Sequence, residues 1–120
     1  MAKQPTPTVT AEDVARVVRR DFPAERIAEV FTILDEYGTE RWHSEAPRVR
    51  LAALKLAAGS IEQLRNEIET AKRDYRDVLA WAEYPEYSKD MPHIHEQRSE
   101  DERQRIMDAD LSQYQDWFRR

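Results

Sequence analysis

IEQLRNEIETAKRDYRDVLAWAEY, residues 61–84, decides the fold. Ile61, Leu64, Ile68, Ala71, Tyr75, Val78 and Ala82 recur at alternating spacings of three and four. That is a heptad seam, and it places all seven side chains on one stripe of a single long helix. At ~1.5 Å per residue the helix spans roughly 36 Å. Glu69 with Arg73, and Arg73 with Asp77, stand one turn apart on its surface as candidate ion pairs.

The stretch just before it supplies the partner. Val49, Leu51, Ala52, Ala53, Leu54, Leu56, Ala57 and Ala58 are apolar around most of a helix circumference, broken only by Arg48, Arg50 and Lys55. A helix of that kind lies centrally in the packing. Gly59 stops it, and Ser60 with Gln63 forms a capping box for the next helix. So short a junction folds the two helices, at about 45–58 and 61–84, back as an antiparallel hairpin.

Further helices flank the hairpin. Thr10 and Asp13 box the start of a first helix, whose Val14, Val17 and Val18 form the apolar stripe and whose Arg16, Arg19 and Arg20 face solvent. Asp21-Phe22-Pro23 ends it, and Pro23 opens a second helix with Ile27, Val30, Phe31 and Leu34 inside and Gly38 as its left-handed cap. Ser44 is the expected cap of the third helix, with Pro47 in its first turn. Pro85 stops the long helix, residues 85–98 (PEYSKDMPHIHEQR) connect, and Ser99 with Glu102 caps a fifth helix carrying Met107, Leu111, Tyr114 and Phe118 inward. The expectation is one all-α domain over 9–120, as a five-helix bundle or short α-α superhelix, preceded by a polar tail at 1–8 that is flexible.

Composition bounds the function. The chain of 120 residues is 36% charged and has no cysteine, which removes disulfides, thiolate zinc sites and thiol nucleophiles. No apolar run approaches the ~20 residues of a membrane span, so a cytoplasmic, membrane-free protein is expected. Residues 1–60 carry nine basic and nine acidic side chains, whereas 61–120 carry ten and fifteen, so the formal charge of −5 sits in the second half. Nucleic-acid binders are normally basic. The nearest basic stripe is Arg16, Arg19, Arg20 and Arg26, interleaved with Asp21 and Glu25.

Chemistry-bearing motifs are few. His93, His95 and Glu96 project together if the backbone is extended, with Asp90 and His43 as possible further ligands; a metal site needs three or four aimed donors, and a solvated loop is the plainer reading. Glu40 and His43 match the Glu-x-x-His spacing of di-iron bundles, but no second copy exists. Ser44 beside His43 is adjacency in sequence, and catalytic pairs are defined by spatial geometry. No catalytic residue, cofactor site or metal site is therefore assigned. Trp81, Tyr84, Tyr87 and Met91, near Pro85 and Pro92, have the aromatic and methionine composition of an interface.

Residues 48–57 (RVRLAALKLA) and 74–85 (DYRDVLAWAEYP) resemble the central helical hairpin of a group of small bacterial proteins of unknown function. The resemblance covers about residues 45–87 and implies a bacterial, all-helical, cytosolic protein. It brings no activity with it. The residues themselves favour a small non-catalytic protein-interaction or regulatory module. Its partner is a protein, a second copy included, with a homodimer formed through the C-terminal half of the long helix. The alternative is a metal-dependent or small-molecule-processing protein using the 85–98 connector. The third reading is weak nucleic-acid binding through the first-helix arginines.

Overall fold

A computed structural model describes residues 6–89 and 98–120. The described residues form α1 (Ala11–Asp21), a 3-10 turn (Ala24–Arg26), α2 (Ile27–Asp35), α3 (Ala46–Ala57), α4 (Ile61–Glu83), α5 (Pro85–Lys89) and α6 (Glu100–Arg119), with no strand among them. The class is all-α. None of the described helices is long and apolar enough to cross a membrane.

The α3–α4 hairpin is the dominant contact of the molecule. Five seam residues, Leu64, Ile68, Ala71, Val78 and Ala82, are buried, while Ile61 and Tyr75 pack against the same core from a half-buried position. Val49, Leu51, Ala52, Ala53, Leu54 and Ala57 are buried in α3, as a helix apolar on most sides requires. Their small alanines let α1 as well as α4 approach. Burying each larger side chain contributes ~1.5–3 kcal/mol.

The seam is continuous but the helix is not. Asp74 has φ −155° and ψ 96°, an extended residue that joins two helical segments end to end. Its Oδ1 accepts the Arg76 backbone N–H at 3.1 Å and the Arg76 Nε at 3.0 Å. Asp74 thus caps the second segment from inside α4, because a short carboxylate can reach the N–H two residues on. The break also redirects the surface ion pairs. Arg73 bonds neither Glu69 nor Asp77; Lys72 takes Glu69 and Glu36 instead, at 2.8 and 2.9 Å.

Termini follow the sequence in part. Thr10 and Asp13 form the expected reciprocal box, with Asp13 N–H donating to Thr10 Oγ1 at 3.2 Å and Thr10 N–H to Asp13 Oδ2 at 3.0 Å. Ser60 and Ser99 accept from Gln63 and Glu102 N–H, each at 3.1 Å. The Gln63 amide turns away to Glu67, so that box is half formed. Ser44 is not the cap of α3; Glu45 is, in a left-handed conformation with φ 51°, and the Ser44 carbonyl accepts the Tyr37 hydroxyl at 2.8 Å. The 3-10 turn precedes α2, which ends three residues before Gly38. In the expected tail Pro7 is buried, and Val9, at the start of the expected domain, packs on the core.

Four basic side chains close helix C-termini, among them Arg16 and Arg20, which were expected in solvent. Arg50 donates to the Leu34 carbonyl in the last turn of α2 and to the Tyr37 carbonyl just after it, at 3.0 and 2.6 Å. Arg16 and Arg20 donate to the Phe118 and Trp117 carbonyls at the end of α6, both at 2.7 Å. Lys55 donates to the Ala82 carbonyl at the end of α4, at 2.6 Å. The last carbonyls of a helix lack intrahelical donors and sit at its negative pole, so each cation satisfies both needs.

Candidate functional site

The aromatic set at the end of α4 divides. Trp81 is 52% exposed. Tyr84 is fully buried, which removes it from any surface; burial pushes its phenol up to about 12. The cause is Pro85, which starts α5 rather than an extended connector and brings α6 over the end of α4. Tyr87, on α5, is half-buried. Met91 lies outside the described residues.

Trp81 borders an open groove of about 570 Å³ with Leu56, Glu67, Thr70, Asp77 and Val78. Val78 is buried and forms part of its floor, and half-buried Leu56 closes the side toward the end of α3. The groove is thus apolar at the centre and acidic along α4. No ion pair engages Glu67 or Asp77 among the described residues. Glu67 accepts only the neutral Gln63 amide, at 2.7 Å.

A second, buried constellation lies where α3, α4, α5 and α6 meet. Arg48 Nε and Nη2 donate to both oxygens of Glu83 at 2.8 and 2.7 Å, and Nη1 donates to Glu45 at 2.8 Å. Glu83 is 1% exposed, and the bonds to it hold the Arg48 pKa above its already high ordinary value. Asp110 is buried and accepts the backbone N–H groups of Glu86 and Tyr87 at the start of α5. Burial raises its pKa against those two bonds. Burial likewise lowers that of Lys55, whose ammonium lies 5.3 Å from the centre of the Tyr114 ring.

This constellation borders a groove of about 450 Å³ with Tyr75, Leu79, Tyr87 and Ser88 on its walls. Its charged groups are already matched to one another, and Ser88 Oγ donates to the Ala80 carbonyl at 3.0 Å. The arrangement joins four helices. Among the described residues it pairs no nucleophile with a base.

The other sequence candidates fall as follows. His93, His95, Glu96 and Asp90 lie outside the described residues. His43 Nδ1 accepts the Gly38 and Glu40 N–H groups at 2.9 and 3.3 Å, and its ring stacks on Tyr37 at 4.6 Å. It shapes the 38–45 loop, and no group of three potential ligands that could hold a metal occurs among the described residues. Of the basic stripe, Arg16 and Arg20 on α1 serve α6, and Arg26, in the 3-10 turn, pairs with Glu29 at 2.8 Å.

Two features escaped the sequence reading. Asp110 occupies an inward position between Met107 and Tyr114, a polar residue on an apolar stripe, and that signal was legible. Glu83 carries no such mark, because its partner Arg48 stands 35 residues away. Compared with known proteins, the chain matches no protein family, no curated protein and no solved structure.

Proposed function

We propose that this chain is a non-catalytic helical interaction module that docks a partner protein on the groove bordered by Trp81. One observation carries the reading: a tryptophan held on a helix remains half in water beside an apolar floor. Tryptophan is the residue most enriched among the dominant anchors of protein interfaces, and an exposed apolar patch with a polar rim marks a docking surface.

Trp42 is more exposed, at 66%, but it sits on a loop beside the charged Lys72, Arg73 and Arg76. It is the natural control. The test is selection from a helix-presenting peptide library against the immobilised protein. Selected peptides should share apolar anchors at helical spacing, lose binding to Trp81→Ala and keep it to Trp42→Ala. Peptides that bind the Trp81→Ala protein undiminished would refute the reading.

A further inference from the structure

Resting on that docking reading, we infer that the occupant of the Trp81 groove is a basic amphipathic helix of a partner protein, its apolar anchors on Leu56, Val78 and Trp81 and its lysines or arginines on Glu67 and Asp77. The contrast with nearby carboxylates carries this. Glu29 pairs with Arg26 and Arg65, Glu36 and Glu69 share Lys72, Asp74 pairs with Arg76, and Glu45 shares Arg48 with Glu83. Among the described residues the two carboxylates lining the groove form no ion pair, and the cation in electrostatic reach of Asp77, Arg76, is bonded to Asp74. They stand in the half of the chain that holds the whole formal charge of −5.

The groove takes its lining from both segments of α4, Glu67 and Thr70 before the break at Asp74 and Asp77, Val78 and Trp81 after it. A helix laid there reads the apolar centre with residues at i, i+3 or i+4, and i+7, while cations on its flanks reach the rim. A second copy is the poorer occupant. A two-fold interface apposes the same patch from both chains, so two unneutralised acidic rims would meet.

The test uses two fluorescein-labelled helical peptides of about four turns, one with leucine on one face and lysine on the other, its counterpart with glutamate in place of lysine. Anisotropy at low salt should show the lysine peptide binding at least about tenfold more tightly, with salt weakening it. Glu67→Gln with Asp77→Asn should erase most of that difference, and Trp81→Ala should abolish binding. Equal binding of both peptides, lost in Trp81→Ala, overturns the charge inference and leaves the docking site standing. Lysine-peptide binding that survives Trp81→Ala is a non-specific attraction and overturns the inference. Library peptides that need Trp81 but carry no basic residues would also overturn it, again without touching the docking reading.

Discussion

Arg48 and Glu83 show how a residue's role depends on what its partner shields. Removing two charges from water costs several kcal/mol per ion, and only close geometry with further bonds offsets it. The bidentate contact and the third bond to Glu45 meet that requirement. Glu83→Ala should therefore destabilise by ~3–5 kcal/mol in urea denaturation, because Arg48 keeps its charge without its main partner. Arg48→Met combined with Glu83→Leu should cost less than Glu83→Ala alone. Strict additivity of the single changes would show that the pair is not coupled. The buried tyrosines give a pH signature. Burial pushes the phenols of Tyr37 and Tyr84 up to about 12. The native state therefore holds those protons while an unfolded chain releases them near the ordinary value of ~10, so stability falls as pH rises from about 10 toward 12. Tyr84→Phe should make that decline shallower. An unchanged slope would mean that Tyr84 is not enclosed.

At the scale of elements, the heptad spacing located the α3–α4 hairpin because burial requires one apolar stripe, and the stripe is visible in residue order. The break at Asp74 was not visible. No glycine or proline marks it, and the spacing of four from Ala71 to Tyr75 reads as unbroken helix. What decides it is the Asp74 carboxylate reaching the Arg76 N–H, a local competition between side chain and backbone. Asp74→Asn keeps an acceptor oxygen and should preserve the thermal midpoint, whereas Asp74→Ala should lower it. Equal midpoints for Asn and Ala would exclude the capping role. The same limit explains the basic residues. Arg16, Arg20, Arg50 and Lys55 look like solvated helix charges in sequence, since the carbonyls they meet belong to other helices.

For the whole molecule, the hairpin accounts for why Trp81 is accessible and Tyr84 is not. Helix α3 ends at Ala57 and α6 closes over the end of α4, so the open strip of α4 runs beside Leu56 and under Trp81. Sequence placed Trp81 off the seam, which was enough to mark it. It could not separate Trp81 from Tyr84, because their difference depends on α5 beginning at Pro85 and on the return of α6. The acidic rim was equally hidden, since Glu67 and Asp77 stand out only when the carboxylates around them are seen in ion pairs.

The most direct test is a two-dimensional ¹H–¹⁵N NMR titration with the lysine-bearing helical peptide, following the three indole N–H signals of Trp42, Trp81 and Trp117. The account predicts a large, saturable shift of Trp81 together with the amides of Leu56, Thr70, Asp77 and Val78, while Trp42 and Trp117 stay in place. Shifts centred on Trp42, or none at Trp81 at saturation, would contradict it.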